Sequence, residues 1–419
     1  MNQPSDVIIA GAGPAGLAAA ESIARRGVSV TVLEQNHEIG APIRTSGGSF
    51  VAELRSLGIP DGLWHPIGRL RFLSAHNAAV FDYPDPAMCV IDVRGVFQHL
   101  AERAIAAGAS IRLATSAVAP IIDVPGGARV TGVITRVARR VRDESLDCRI
   151  LIDATGYRAT LLKLVGTKTT GIGHSNIGHA SVDPGFRRFG IGAEYDLYAP
   201  HCDQREAVLV VGEEAAPSGY AWVFPWGRSR VRVGVGIIHP DSAAKPGDYL
   251  DRFVANLDRY GVDMRGAQPV EYHAGLIPSE RFARTFVGDG IMGVGDAVGQ
   301  ASSLLGEGIR WAIRAGQMAG ETAAAAIESG DTSRQALLPF EQNWRKQFGM
   351  NLRLAHRINQ RIARWDGAKW DARVELLKKL SPAEFAEALK TNLTGRWLWK
   401  LAASGALFRR SKLAADERR

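Results

Sequence analysis

The sequence predicts an α/β protein: a Rossmann-like dinucleotide-binding unit, an antiparallel sheet inserted into it, and a helical C-terminal region. Three observations carry this. The opening segment DVIIAGAGPAGLAAAESIARRGVSVTVLEQ, residues 6–35, strings together an apolar run, three glycines, an alanine-rich stretch, a second apolar run and an acid. Residues 171–274 then change character, with AVLVVG, YAWVFPWG and VRVGVGII alternating as antiparallel strands exposed on one face do. From residue 291 the chain returns to a buried strand and turn, IMGVGDAVG, followed by a long helical pattern to Ser329.

Taken in order, Val7 to Ala10 has the composition of a short buried strand. Gly11, Gly13 and Gly16 fit G-x-G-x-x-G at the start of a helix that runs to about Arg26, with Pro14 and Ala15 inside the motif. In such a unit the first glycine allows the tight turn and the second lets a pyrophosphate approach the backbone. The third lets helix and strand pack closely, and the helix N-terminus supplies N–H groups and a positive dipole end. Gly27 ends the helix and Val28 to Leu33 forms the next strand. Glu34 follows, 18 residues after Gly16 and next to Gln35, where a carboxylate can accept from both ribose hydroxyls. That acid disfavours a 2′-phosphate, so the site suits NAD or FAD better than NADP.

Residues 93–118 read as a helix ending near Gly108 and a strand that includes Ala117. VITRV and CRILIDATG are two further strands, the second running into a turn at Gly156. GVGDAVGQASSLLGEGIRWAIRAG, residues 293–316, carries Gly295 and Asp296 at a strand end and Gly306, Gly308 and Ile309 at a helix start. Asp296 can accept from a ribityl hydroxyl. The N–H groups of the helix start suit an edge of a flavin that becomes negative on reduction. The domain boundaries that follow are 1–71, 92–170 and 275–330 for the discontinuous cofactor domain, 72–91 and 171–274 for the inserted sheet, and 331–419 for the helical region.

At 419 residues and 46% apolar composition the chain can bury more than one core. Cys89, Cys148 and Cys202 are too widely spaced for a metal or disulfide pattern. No segment has the pattern of a signal sequence and no run of 18 apolar residues occurs, so a soluble, cytoplasmic protein is expected. The net charge of +8 is unevenly placed: residues 341–419 hold 18 Lys+Arg against 8 Asp+Glu. Five of the nine tryptophans (Trp344, Trp365, Trp370, Trp397 and Trp399) lie there too. The stretch TGRWLWKLAASGALFRRSKL mixes cations with Trp, Leu and Phe as helices at a membrane surface do. A helical cap with a solvated basic face is the alternative. Nucleic acid is not an expected partner, because no binding module accompanies the charge.

The motifs IIAGAGPAGLAAA, IGAPIRTSGG, GYAWVFPWG, HAGLIPSE and the 293–316 segment follow one another through residues 6–320. Together they resemble the flavoprotein superfamily that includes p-hydroxybenzoate hydroxylase and, within it, the geranylgeranyl reductase family. The resemblance implies FAD as cofactor. Gly11, Gly13, Pro14, Ala15, Gly16, Glu34 and Gln35 would hold its ADP half, with Ala117 and Gly156 nearby. Arg44, Thr45 and Arg94 would lie near it, and Gly295, Asp296, Gly306, Gly308 and Ile309 along the ribityl chain and ring. A single dinucleotide fold is visible, so the external electron donor (NADPH, NADH or ferredoxin) is unassigned. Thr45 stands where many family members carry a cysteine, and Ser302 where proline is common.

Strand alternation puts Tyr220, Trp222 and Phe224 on one face, an apolar wall suited to an isoprenoid or polycyclic guest, with Ser46 beside it. Inward-facing core aromatics are the alternative. His174, His179, His201 and His273 each could donate a proton, with a structural role the default for each. No paired carboxylates, Ser/His/Asp set or metal-ligand spacing stands out. Two functions fit. One is hydride transfer from reduced flavin to a carbon–carbon double bond of a prenyl chain or related apolar substrate. Its proton would come from water or from a hydroxyl such as that of Tyr220, with Thr45 as a second candidate. The other is an oxygen-using flavin monooxygenase or halogenase acting on an aromatic or polyketide-like molecule.

Overall fold

A computed structural model describes residues 5–123, 129–138, 143–169 and 186–393. The Val7–Ala10 strand is buried along its whole length because it lies inside a six-stranded sheet. Val30–Leu33 and then Ser110–Arg112 flank it on one side; Ile150–Asp153, Ile291–Gly293 and Val287–Gly288 flank it on the other. All but Val287–Gly288 run parallel. The register pairs Ala10 with Asp153 and Asp153 with Gly293. Three strands therefore end together and bring the glycine turn, the 153–156 turn and Gly295–Asp296 to one sheet edge. Ligands of open parallel sheets bind at such an edge.

The alanine content of the first helix, Pro14–Ala24, has a packing cause. A Cβ added at Gly316 or Gly320 of the Ile309–Ser329 helix would lie 2.2 Å from the Ala15 carbonyl oxygen or 2.6 Å from that of Ala19. Small residues on both helices let the two backbones touch. Asp153 is buried, and its carboxylate accepts from Thr155 Oγ1 at 2.6 Å and from the Leu161 and Leu162 amides at 2.9 Å. It fixes the turn and starts the next helix.

The inserted sheet has seven strands, in the order Gln268–Pro278, Phe189–Tyr198, Arg230–His239, Ala216–Gly227, Glu206–Gly212, Arg69–Leu73 and Ala78–Asp82. Its first strand thus begins at Arg69, ahead of the expected boundary at 72, and its last runs past 274 to Pro278. Met88–Ile91, expected in this sheet, pairs instead with Gly48–Phe50 and Trp64–Ile67. Arg232 ties the two parts together. Buried in the sheet, it donates through Nη1 to the carbonyls of Ser46 (2.8 Å) and Ile91 (3.0 Å), and its guanidinium lies over the Trp226 ring.

Of the C-terminal helices, Arg334–Ile362 packs on the Ile309–Ser329 helix and the Val287–Gly288 strand, whereas Gly367–Leu377 and Pro382–Leu389 cover the Ala78–Asp82 edge of the inserted sheet. Pro382 breaks the helical run as expected and opens the last of them, behind a capping box of Ser381 and Glu384. Phe385 stacks on Phe81 at 4.0 Å and Trp370 packs near Phe72. Trp344 is buried against Trp311 and Phe348. Trp344 and Trp370 are therefore core residues. Trp397, Trp399 and Gly395, with the whole TGRWLWKLAASGALFRRSKL stretch, lie outside the described residues, as do His174 and His179. Among the described residues no helix is long and apolar enough to cross a membrane, and the three cysteines are free and buried.

Candidate active site

One cavity of about 1130 Å³ runs from the glycine turn, past the aromatic strand, to the C-terminal helices. At its first end the three glycines do different work. Gly11 sits at φ +109°, and a Cβ there would lie 2.4 Å from the Ala154 carbonyl oxygen. Gly16 lies behind the turn, where a Cβ would be 2.0 Å from the Gly11 oxygen. Gly13 alone faces open space, with nothing within 4 Å of its would-be Cβ. That is a backbone cradle for a pyrophosphate. Glu34 is held beside it: Oε2 accepts from the Ala12 amide at 2.9 Å, and Oε1 accepts from the amide and side chain of Asn36. Oε2 keeps a lone pair for a ribose hydroxyl, whereas Asn36 occupies both of those on Oε1. Pro14, Ala15, Gln35, Ala117 and Gly156 line the same end.

Further along, Arg44, Thr45, Ser46, Gly295, Asp296, Gly306, Gly308 and Ile309 all line the cavity. Gly306 turns at φ +64°, and Gly308 caps the helix whose N-terminus faces this space. Ser302 uses its hydroxyl, 2.6 Å from that of Thr391, to tie this loop to the C-terminal region. Burial pushes the Asp296 carboxyl up to about 6, and among the described residues no protein group donates to it. A half-buried carboxylate on the cavity wall without a protein donor fits a hydroxyl-bearing ribityl chain. Its partly desolvated charge also costs the apoprotein stability. From 3.8, the ordinary value, to about 6 the folded state binds the extra proton, so stability falls as pH rises and the full cost applies above. Asp296→Asn is expected to stabilise the apoprotein near pH 7 by about 2 kcal/mol and to do nothing near pH 4. The same change should weaken FAD binding by roughly 10-fold. Thermal melts of apoprotein at both pH values and a flavin titration check this.

Two expected residues stand elsewhere. Arg94 does not line the cavity; it pairs with Glu38 at 3.4 Å and its backbone backs the turn at Gly40. Phe224 shares a face with Trp222 but packs against Gly48, outside the cavity. Tyr220 and Trp222 do line it. The Tyr220 hydroxyl donates to the Leu305 carbonyl, and burial raises its pKa, so its proton anchors the 303–306 loop. His201 is exposed.

The wall around Trp222 holds residues the sequence did not single out. Gly234 lies opposite Trp222 in register and Gly236 opposite Tyr220. A Cβ at Gly234 would meet the indole at 2.3 Å, and one at Gly236 would meet it at 3.3 Å. The ring thus lies flat on a glycine shelf, pinned where Nε1 donates to Glu194 Oε2 at 3.0 Å. Beyond it the cavity is apolar, with Phe72, Leu209, Leu377, Phe385 and Leu389, while Arg361, Arg373 and Lys379 add cationic groups from the C-terminal helices.

A nucleotide cradle, a flavin-compatible helix start and an apolar chamber in one cavity define a flavin-dependent oxidoreductase. Comparison with known proteins agrees and goes further. The family description "FAD dependent oxidoreductase" matches residues 6–181 and "Geranylgeranyl reductase catalytic domain" matches residues 189–277. The chain is 31% identical over 396 residues to digeranylgeranylglycerophospholipid reductase 2 of Methanothermobacter thermautotrophicus, covering 93% of this chain and 94% of that one. It superposes with a TM-score of 0.80, at 22% identity, on a geranylgeranyl bacteriochlorophyll reductase-like protein of Thermoplasma acidophilum, covering 95% and 98% of the two chains. A p-nitrophenol 4-monooxygenase of Pseudomonas putida shares the fold at a TM-score of 0.68 and 17% identity, over 93% of this chain and 98% of that one. The chain belongs to the geranylgeranyl reductase family of FAD-dependent oxidoreductases.

Proposed function

We propose that the protein reduces isolated carbon–carbon double bonds in the prenyl chains of a phospholipid-like substrate. The observation that carries this is the single cavity that joins the nucleotide cradle to a long apolar, aromatic-walled chamber. Its apolar reach suits prenyl chains, and Arg361, Arg373 and Lys379 suit an anionic head group. The relatives named as reductases of such a lipid support the reading.

FAD, held by Gly11–Gly16, Glu34, Asp296 and the 306–309 helix start, supplies a hydride when reduced. The chain's own contribution is burial, orientation and exclusion of water. An isolated alkene accepts hydride poorly, so positive character must develop on carbon, and the face of Trp222 can stabilise it. Arg357, Arg361, Arg364 and Lys369 surround a shallow depression on the C-terminal helices. This basic face would bring the cavity to an anionic lipid surface, as a peripheral contact.

The reading is tested by mixing anaerobically photoreduced protein with a prenyl phospholipid. Return of the oxidised flavin spectrum under nitrogen, with two hydrogens gained per double bond by mass spectrometry, is the expected result. Flavin that stays reduced with the lipid, yet hydroxylates an aromatic compound once oxygen is admitted, would replace it with an oxygenase.

A further inference from the structure

Reducing a double bond consumes a proton as well as a hydride, and the cavity wall holds a route for one. Glu194, Trp222 and His273 line the cavity together. They meet because the sheet register pairs Glu194 with both Gly234 and His273, bringing residues from three strands onto one face. His273 Nδ1 lies 2.8 Å from Glu194 Oε1, and its Nε2 lies 3.0 Å from Glu271 Oε2. Glu194 and His273 are buried, whereas the Glu271 side chain is 41% exposed. A continuous hydrogen-bonded line of titratable groups therefore runs from solvent to the cavity beside Trp222.

We infer that Glu271, His273 and Glu194 form a proton relay that delivers the proton consumed in double-bond reduction. This rests on the reductase reading above. In the step, the π bond breaks and two C–H bonds form. One carbon takes the hydride supplied by reduced FAD, which is oxidised. The other takes a proton from Glu194, which its carboxylate receives from His273 Nδ1 as the N–H bond breaks and gives up as the new O–H bond breaks in turn. His273, left neutral with its proton on Nε2, shifts that proton to Nδ1 by tautomer exchange and then takes another at Nε2 from the Glu271 side and solvent. Tyr220 does not compete, since its hydroxyl already donates to Leu305.

The surrounding charges favour this direction. Burial lowers the pKa of His273, but the hydrogen bonds to Glu194 and Glu271 more than offset it and the net shift is upward. Arg232, two strands away across Phe189–Tyr198, opposes the imidazolium, and its own charge is met by the buried Asp196. The hydrogen bond from His273 lowers the Glu271 carboxyl, as do Arg94 and Arg230, the latter 4.0 Å from Glu271 Oε1. A protonated His273 in contact with an exposed carboxylate is a reservoir that solvent can refill.

Two measurements test the relay. In NMR of the apoprotein with labelled histidine, His273 should titrate above the free imidazole range, and Glu271→Gln should move its titration to lower pH. In turnover of a prenyl lipid, Glu194→Gln, which keeps the shape and one accepting oxygen but has no carboxyl proton to give, should lower kcat by about 100-fold. The wild-type kcat should fall at alkaline pH, and Glu271→Gln should shift that limb in step with the NMR titration. If Glu194→Gln does not take up FAD, Glu271→Gln, at the exposed end, carries the test alone. Normal turnover with an unaltered pH profile in these variants would overturn the relay and leave the reductase reading standing. Absence of prenyl reduction in the wild type would overturn both.

Discussion

Gly13→Val is expected to yield a folded protein that does not retain FAD. Gly13 has φ −76° and ψ 176°, extended backbone that any residue adopts, and a Cβ there meets no protein atom within 4 Å. The protein therefore has no steric objection to a side chain at this position, and the expected cost to stability is under about 1 kcal/mol. The pyrophosphate does object, because it must approach this stretch of backbone closely. An added isopropyl group in that space should weaken FAD by at least about 100-fold, roughly 3 kcal/mol. Gly16→Ala is the contrasting control. Its Cβ would lie 2.0 Å from the Gly11 carbonyl oxygen and 3.2 Å from the Ala154 side chain. That clash sits inside the fold, so Gly16→Ala should lower the melting temperature of the apoprotein itself. Flavin content after purification and apoprotein melting curves separate the two. Gly13→Val retaining full flavin would mean that the cofactor's phosphates lie elsewhere.

The contrast between these glycines shows which features a sequence displays. The fingerprint is local: turn, helix start and acid fall within thirty residues, and the spacing alone fixes their relative positions. Asp296 and the 306–309 helix start were legible for the same reason, since a strand end and a helix start are each marked by short-range pattern. What crosses strands was not. Glu194 and His273 are 79 residues apart and meet only through sheet register. Gly234 and Gly236 carry the Trp222 ring, yet in sequence they are two glycines in an alternating strand. Alternation correctly put Phe224 on the face of Trp222 but could not reveal that this face leaves the cavity one rung later, where Phe224 meets Gly48. Trp344 and Trp370 were misleading because cations between tryptophans look the same on a lipid-facing helix as on one packed inward. The helices turn their aromatic faces to the core and leave the charges outside.

Gly234→Ala is expected to leave FAD bound and to cripple reduction of the substrate, for a reason that one further substitution can expose. The new methyl would lie 2.3 Å from the Trp222 indole and 2.7 Å from the Glu194 Cβ. The ring cannot slide along the sheet while its Nε1 is held by Glu194, so it must tilt into the cavity. Overpacking of this kind costs about 1–3 kcal/mol, and here the displaced atoms occupy substrate space. The FAD cradle belongs to a different hydrophobic cluster from Trp222, so flavin content should hold. Trp222→Ala removes the wall itself and should raise KM by roughly 10-fold or more, with a lower melting temperature from the lost packing. Two independent lesions would add in the double variant. If the glycine exists to seat the indole, they cannot fully add: once Trp222 is alanine, the 2.3 Å clash with the ring is gone and only the 2.7 Å approach to the Glu194 Cβ remains. Gly234→Ala in that background should then cost clearly less in stability than in the wild type and leave KM unchanged. Additive losses would assign Gly234 to backbone packing of the sheet, and the shelf would have no part in shaping the cavity.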